Sequence, residues 1–258
     1  MPQVYPGLSG FSTGQNGSIW NYMRGSRLAQ TCRLIGHAGR PRPREDVMQI
    51  AIIGAGNVGK ALASGLTKAG YTVTLSAKDP AHARDAAEAI GTRAAADNVE
   101  AVRESDLVVL AVPFSAAPDI VGQLGEALRG KVVRDATNQF SPDRSGLDRW
   151  DRSVAEQVQR RSAAPVVKAF NTALAANMAT GSVAGTPLDG FYAGDDAAAK
   201  ATVARLLGDL GFRPIDVGGL AMARVLEGMA FVNIGLNMAN GWPWQSGFNL
   251  VGPTSAAA

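Results

Sequence analysis

The residues with the clearest chemical pattern are Gly54, Gly56 and Gly59, which stand in the order G-x-G-x-x-G. Between a strand and a helix, the first glycine permits a tight turn and the second lets the backbone approach a pyrophosphate. The third lets the helix lie close to the strand. The N–H groups at the start of that helix would then face the phosphate charge. The pattern predicts a dinucleotide-binding turn that also includes Ala55, Asn57 and Val58.

The residues after the second predicted strand bear on which dinucleotide is bound. NAD-binding proteins usually carry an acid there that holds the ribose 2′-hydroxyl, whereas this chain has Ser76, Ala77 and Lys78. A cation at this point can pair with the 2′-phosphate of NADP(H), and His82 follows one helical turn later. Asp79, turned inward, would select NAD instead, and Lys78 would then be an ordinary solvated lysine. We therefore expect NADP(H), with NAD as the alternative.

Apolar runs alternate with segments of helical spacing from residue 48 onward, and these segments must position the turn. Strands are predicted at 49–53, 71–75, 107–112, 131–135, 166–170, 190–193 and 212–217. Helices are predicted at 58–69, 80–90, 98–104, 118–128, 151–161, 195–210 and 220–240. This alternation indicates right-handed βαβ crossovers. The expected fold is α/β, a doubly wound, mainly parallel Rossmann sheet with a small C-terminal helical cap.

The charge of the chain is concentrated at its start. The 258 residues carry a net charge of +3, but residues 1–47 alone hold six arginines and two acids. The remainder is nearly neutral, so the basic balance does not indicate a nucleic-acid or membrane partner. With one cysteine and two histidines, neither a disulfide framework nor a metal site is expected.

Three parts of the chain are expected. Residues 1–47 form a disordered extension, residues 48–170 an NADP-binding Rossmann domain, and residues 171–258 a small substrate or dimerisation region. Three interpretations of the extension stay open: Met48 is the natural start, the segment is a genuine tail, or it is a transit peptide. The apolar stretch at 220–236 contains Arg224 and Glu227 and therefore predicts a buried or interface helix instead of a membrane span.

Several segments occur in an order that is typical of one family. They are residues 48–59, 76–80, 111–114, 168–172 and 240–247. Together they resemble the NADPH-dependent coenzyme F420 reductases (deazaflavin:NADP oxidoreductases) over about 200 residues, essentially everything after Met48. The resemblance implies a Rossmann domain with a small C-terminal domain, usually paired in a dimer. It also implies direct hydride transfer between nicotinamide C4 and deazaflavin C5.

The resemblance also assigns residues to the site. The pyrophosphate would be held by Ala55, Gly56, Asn57 and Val58. The adenosine and nicotinamide side would be lined by Val112, Pro113 and Phe114, and the nicotinamide would lie near Thr137 and Asn138. The hydride acceptor would be faced by Phe170, Asn171 and Thr172. Lys78 stands where the family usually has an arginine on the 2′-phosphate, and lysine offers a point charge without the planar fork of arginine.

The expected function is an NADP(H)-dependent oxidoreductase that transfers hydride between nicotinamide and a deazaflavin (coenzyme F420) or flavin-like acceptor. Such transfer depends on stacking, distance and exclusion of water more than on an acid–base set, and Asn171 is the expected polar contact at the reacting junction. A quinone or imine acceptor stays open. The alternatives are a non-catalytic NADP(H)-binding redox sensor and, third, a β-hydroxyacid or prephenate-type dehydrogenase. We expect a cytoplasmic homodimer whose partner is a small-molecule acceptor.

Aromatic and charged residues outside the motif add further candidates. An acceptor platform, or ordinary packing, would be made by Phe140, Trp150, Phe170, Trp242 and Trp244. Lys168 would anchor an anionic substrate, help to protonate an acceptor, or form a structural ion pair. Arg224 and Glu227, three residues apart on one helix, are expected to pair with each other. Trp242 and Trp244 are expected to follow the last helix and line a cleft or subunit edge.

Overall fold

A computed structural model describes residues 47–141 and 151–252. The predicted extension at 1–47 lies outside this range apart from its last residue, and so does Trp150. The strands are β1 (Gln49–Ile53), β2 (Thr72–Ser76), β3 (Arg93–Ala94), β4 (Leu107–Leu110), β5 (Val132–Asp135), β6 (Val166–Ala169), β7 (Ser182–Val183), β8 (Thr186–Pro187), β9 (Asp189–Gly194) and β10 (Arg213–Asp216).

Eight of the described strands form one sheet in the order β10-β9-β6-β5-β4-β1-β2-β3. Neighbouring strands are parallel except β6 and β9, and β7 pairs only with β8. The predicted fold class is confirmed. The strand order reverses direction between β1 and β4, and ligands of such sheets bind at this switch point, beyond the carboxyl ends of the strands.

Helices cover both faces of the sheet. They are α1 (Asn57–Lys68), α2 (Pro80–Ile90), α3 (Asn98–Arg103), α4 (Ala117–Leu124), α5 (Val154–Gln159), α6 (Ala175–Met178), α7 (Ala197–Asp209) and α8 (Ala223–Asn240). Because side chains alternate along a strand, Ile50 and Ile52 of β1 join the core under α1 and α7, while Ala51 and Ile53 join the core under α4 and α5. Both faces of the central strands are therefore buried, which explains why their sequences are continuous apolar runs.

Differences from the predicted elements have local causes. The helix predicted to begin at 151 begins at Val154, because Ser153 accepts the N–H of Glu156 in a capping box. The helix predicted through 128 ends at Leu124, since Gly125 has a φ of +45° and a 3₁₀ turn follows. The elements β3, α6, β7 and β8 span two to four residues each, too few for a periodic pattern.

The predicted Arg224–Glu227 pair is wrong. Arg224 instead pairs with Glu156 of α5 at 2.6 Å, and Glu227 turns towards Lys168 of β6 at 2.7 Å. A helix advances about 100° per residue, so residues three apart can face two different neighbours. Among the described residues, α8 and the other helices are too short or too polar to cross a membrane.

Candidate functional site

The glycine turn joins β1 to α1 at the switch point. Gly54 has a φ of +113°, and a Cβ there would lie 2.2 Å from the carbonyl oxygen of Ala111. Its N–H donates to the carbonyl of Ser76 at 2.8 Å. A Cβ on Gly59 would lie 1.8 Å from the carbonyl oxygen of Gly54. Both positions therefore require glycine, one for backbone conformation and the other for the close approach of α1 to the turn.

Gly56 plays a different part. It is the N-cap of α1, no side chain caps the helix, and no acid lies in its first turn. A Cβ on Gly56 would meet nothing within 4 Å. The first N–H groups of α1 therefore open onto free space, and such groups with the positive end of the helix dipole suit an anion. This cradle fits a pyrophosphate.

A cavity of about 730 Å³ lies on one side of the turn. Its lining includes Ala77, Lys78, Asn98, Val112, Pro113 and Ile120. Lys78 is exposed at this cavity, and its Nζ forms no hydrogen bond or ion pair with the described part of the chain. An unpaired cation at this position suits a phosphate on the ribose.

Ser76 and Phe114 do not line this cavity. Ser76 is fully buried, and its Oγ donates to Oδ1 of Asn98 at 2.8 Å, so it orients a residue that does line it. Phe114 is half-buried and packs against the core under α4. Asn98 was missed from the sequence because only tertiary packing brings α3 to the end of β2.

Asp79 is turned away from the site. Its Oδ1 accepts the N–H of Ala81 at 2.9 Å as the N-cap of α2. His82 of α2 places Nε2 at 3.0 Å from the carbonyl oxygen of Ala55, so the Nε2–H tautomer donates to it. Asp79 thus stabilises α2, and His82 attaches α2 to the glycine turn. Asp119 also lines the cavity but is paired with Arg161, which leaves Lys78 as the unpaired charged group there among the described residues.

The ends of β5 and β6 meet through amide side chains. Asn171 Nδ2 donates to Oδ1 of Asn138 at 2.9 Å, and Asn138 Nδ2 donates to the carbonyl of Asn171 at 3.2 Å. The Oδ1 of Asn171 and the Oγ1 of Thr137 are buried without a hydrogen-bond partner in the described structure. Thr172 is buried next to them. Unsatisfied buried polar atoms are rare, and these two would pair with a nicotinamide carboxamide that came within reach, but Thr137, Asn138, Asn171 and Thr172 do not line the cavity beside the glycine turn.

Phe170 is not brought to this junction. It has a φ of +66° and is 2% exposed, and its ring packs edge-on against Phe212 at 5.6 Å. The Cζ of Arg134 lies 4.1 Å from the Phe170 ring centroid. All three guanidinium nitrogens of Arg134 are buried with no hydrogen-bond partner among the described residues, and burial lowers the pKa of Arg134 to about 9. No sequence pattern marked Arg134.

A second, mostly apolar cavity of about 720 Å³ lies between the start of α1 and α8. It is lined by Asn57, Val58, Phe140, Ala175, Phe231, Ile234, Gly235, Met238, Ala239 and Trp244. The rings of Phe140 and Phe231 lie 6.1 Å apart. Because Asn57 and Val58 also begin α1 beside the pyrophosphate cradle, this cavity lies next to the dinucleotide site. Its size and aromatic walls suit a planar heterocycle.

Trp244 reaches this cavity through a polar network after α8. Gly241 ends the helix with a φ of +62°, and the Trp244 N–H donates to Oδ1 of Asn237 at 3.1 Å. Asn237 also donates to Oγ of Ser246 at 2.6 Å, and Ser246 donates to Asn233 at 2.6 Å. The expectation that this segment follows the last helix and lines a cleft is met by Trp244, whereas Trp242 is not among the residues that line the cavity.

Lys168 is buried, and its role is an ion pair. Its Nζ donates to Asp135 at 2.8 Å, to Glu227 at 2.7 Å and to the carbonyl of Thr137. Burial alone would lower the pKa of Lys168, but Asp135 and Glu227 raise it above its usual value. Burial raises the pKa of Glu227 against the opposing effect of Lys168. All three N–H donors of Lys168 are used within the protein and its side chain lines neither cavity, so it does not anchor a substrate directly.

The described residues form no recognisable metal-binding site. No group of three or more histidine, cysteine, aspartate or glutamate side chains there is placed to hold a metal ion.

Comparisons with known proteins agree with this geometry. Residues 49–139 match the family model described as "NADP oxidoreductase coenzyme F420-dependent". The F420-dependent NADP reductase of Methanothermobacter marburgensis is 33% identical over 213 residues, which cover 75% of this chain and 94% of that protein.

Solved structures give the same result. A crystal structure of a putative F420-dependent NADP-reductase from Arthrobacter sp. FB24 has a TM-score of 0.73 at 32% identity and covers 80% of this chain and all of that chain (100%). An imine reductase from Myxococcus stipitatus in complex with NADP+ has a TM-score of 0.56 at 20% identity over 75% of this chain and 63% of that chain, and it shares the fold alone.

Proposed function

The chain belongs to the coenzyme F420-dependent NADP oxidoreductase family, and from this premise we propose that it transfers hydride between NADP(H) and a deazaflavin or flavin-like acceptor. It is an oxidoreductase, as its relatives are. The observation that carries the proposal is that the two cavities meet the same glycine turn, because Gly56 lines the first cavity and the next two residues, Asn57 and Val58, line the apolar one.

NADP(H) supplies or takes up a hydride at C4 of its nicotinamide ring when it is bound. The α1 N-terminus would hold the pyrophosphate and Lys78 the 2′-phosphate. Asn171 Oδ1 and Thr137 Oγ1 have no partner in the described structure but are buried, so they would pair with the nicotinamide carboxamide only when the two side chains turn towards it. Orientation of two stacked rings at contact distance supplies most of what such a reaction needs from a protein.

The acceptor would lie in the apolar cavity. Phe140 and Phe231 form one wall with ring centroids 6.1 Å apart, and Val58 lies at the dinucleotide end. Apolar walls exclude water, which protects a transferring hydride from side reactions. A flat tricyclic ring fits this arrangement better than a small hydroxy acid, which would need polar anchors in the cavity.

A homodimer is part of the proposal. The exposed apolar side chains of α8 include Val225, Val232 and Leu236, spaced seven and then four residues apart on one side of the helix. Phe231 and Ile234, which line the cavity, lie on a different side. A symmetric pairing of α8 with its copy would bury this stripe. We also propose a cytoplasmic location.

The test is a hydride-transfer assay. Purified protein is mixed with NADPH and with oxidised coenzyme F420, FMN, FAD or a quinone, and absorbance of NADPH and of the acceptor is followed. We expect turnover with the deazaflavin or a flavin, with equal amounts of NADPH oxidised and acceptor reduced. Tight NADPH binding with no turnover on any acceptor would support the alternative, a redox-sensing module, and would refute the enzyme proposal.

A further inference from the structure

The buried charge cluster of Lys168, Asp135 and Glu227 lines neither cavity, and hydride transfer uses none of its charges directly. The side chains of Lys168 and Asp135 are 0% exposed and that of Glu227 is 3% exposed. Charges removed from water this completely are costly unless they are well paired. The elements that the three side chains join therefore suggest what the cluster does.

One side of the cluster holds the turn after β5. Lys168 Nζ donates to the carbonyl of Thr137, and Asp135 Oδ1 accepts the N–H of the same residue at 2.9 Å. Both backbone polar groups of Thr137 are thereby fixed. The next residue is Asn138, which bonds Asn171 at the nicotinamide end of the site.

The other side of the cluster holds α8. Glu227 Oε1 accepts from Lys168 at 2.7 Å and from the N–H of Val154 at 3.1 Å. Counting from Glu227, the side chains four, seven and eleven residues later are Phe231, Ile234 and Met238, so all four share one face of the helix. The last three line the acceptor cavity. Glu227 thus fixes the rotation and the axial position of the cavity wall.

We propose that Lys168 is a positioning residue that sets the distance between the nicotinamide-side turn and the acceptor wall of α8. The inference rests on the proposed hydride transfer. Lys168 contacts the turn and the helix with one ammonium group, so the spacing of the two walls depends on its length and charge. A displacement of about 1 Å at a reacting centre costs roughly 100-fold in rate.

The test compares Lys168→Met with Lys131→Met. Lys131 is a matched control, because its Nζ also donates to backbone carbonyls, those of Ser105 and Arg103, but at the opposite end of β5. For Lys168→Met we expect a roughly 10- to 100-fold lower single-turnover rate of hydride transfer. We expect the NADPH dissociation constant to stay within about two-fold, since Lys78 and the cradle are unchanged. Lys131→Met should retain the wild-type rate.

Two further variants keep the test decisive if Lys168→Met does not fold. Glu227→Gln keeps an oxygen that accepts from Lys168 and Val154, so we expect a rate near that of the wild type. The double variant Lys168→Met/Glu227→Met removes the ammonium together with one carboxylate and leaves Asp135, whose Oδ1 still accepts the N–H of Thr137; apolar replacement of a buried pair is commonly tolerated. It should fold and still transfer hydride slowly, with a larger primary deuterium isotope effect from 4-deuterated NADPH.

Some outcomes would overturn the inference. They are a wild-type rate in a folded Lys168→Met or double variant, an equal loss in Lys131→Met, or a loss of NADPH affinity as large as the loss of rate. If the wild type reduces no acceptor, the proposed function fails separately. The inference is then decided by the nicotinamide emission of bound NADPH: a spectrum changed by Lys168→Met but not by Lys131→Met supports it, and an unchanged spectrum refutes it.

Discussion

Asn138 and Asn171 hold each other by two hydrogen bonds, 2.9 and 3.2 Å long, across the ends of β5 and β6. Each amide donates one N–H, Asn171 to the side-chain oxygen of Asn138 and Asn138 to the carbonyl of Asn171, and the Oδ1 of Asn171 stays buried without a partner in the described structure. A buried acceptor without a donor costs about 1–3 kcal/mol. A nicotinamide carboxamide would supply the missing donor.

Replacement of Asn171 by leucine should therefore slow hydride transfer more than it weakens NADPH binding. Leucine has a similar shape but offers no acceptor, so the ring loses its orientation. We expect the single-turnover rate to fall about 10- to 100-fold. Asn240→Ala is the control, because in the described part of the chain this exposed amide donates to a carbonyl one helical turn away at the end of α8 and to no other group. Equal rates in wild type and Asn171→Leu would remove Asn171 from the site.

Lys78→Ala tests cofactor choice. A charge-assisted contact to a phosphate contributes about 1.5–3 kcal/mol, so NADPH affinity should fall about 10- to 100-fold while NADH affinity stays unchanged. Titration calorimetry with both nucleotides measures this. Lys68→Ala, at the exposed C-terminal end of α1 and away from the glycine turn, should affect neither. An equal loss for NADPH and NADH would show that Lys78 does not read the 2′-phosphate.

Gly56 and Gly59 should respond to substitution in opposite ways. A side chain at Gly56 meets no protein atom, and its φ of −74° suits any residue, so Gly56→Val should fold normally but block the pyrophosphate. Gly59→Ala places a Cβ 1.8 Å from a backbone oxygen and should destabilise the protein by several kcal/mol, about 3 or more. Thermal unfolding with and without NADPH separates the two effects. Stabilisation of Gly56→Val by NADPH would contradict the cradle assignment.

Glu156 makes stability depend on acid pH. A side-chain hydrogen bond from Arg224 is the main cause that lowers the pKa of Glu156 from 4.5 to about 2. A lowered carboxyl pKa contributes stability that is complete above pH 4.5 and is lost as pH falls towards 2. Glu156→Gln retains a capping-box residue but loses the charge. It should be less stable by about 1 kcal/mol at pH 7, after allowance for solvent screening.

Denaturant unfolding at several pH values checks this prediction. The difference in unfolding free energy between wild type and Glu156→Gln should shrink between pH 4.5 and 2. A difference that does not change with pH would mean that the Arg224 pair does not stabilise the fold.

The sequence predicted those parts of the site that depend on local backbone geometry. The positive φ of Gly54 and the contact of Gly59 with Gly54 both lie within one strand–turn–helix unit, so the motif and its place in the sheet could be found from the sequence alone. Asn98 could not, because it reaches the cavity only through packing of α3 beside Ser76. The predicted pairing of Arg224 with Glu227 was wrong for the same reason, because their actual partners lie on α5 and β6, which are distant in sequence.

Arg134 carries a charge that is buried in the core, and replacing it tests how much that burial costs in stability. Its guanidinium lies 4.1 Å from the Phe170 ring and makes no hydrogen bond in the described structure, and the attraction of Asp135 offsets only part of the cost of burying the cation. Arg134→Met keeps the length of the side chain and removes the charge. We expect the variant to be more stable than the wild type by about 1–3 kcal/mol at pH 7. Arg161→Met, which loses an exposed ion pair with Asp119, should change stability by less than about 1 kcal/mol.

The pH dependence of the unfolding free energy distinguishes the cost of the buried Arg134 charge from a change in packing. Burial lowers the pKa of Arg134 from 12.5 to about 9, so above pH 9 the unfolded chain binds more protons than the folded one. The unfolding free energy of the wild type should therefore rise relative to Arg134→Met as pH increases from 9. Chemical denaturation at pH 7, 9 and 10 measures the difference. A variant that is less stable than the wild type at every pH would mean that the contact with Phe170 outweighs the cost of burying the charge.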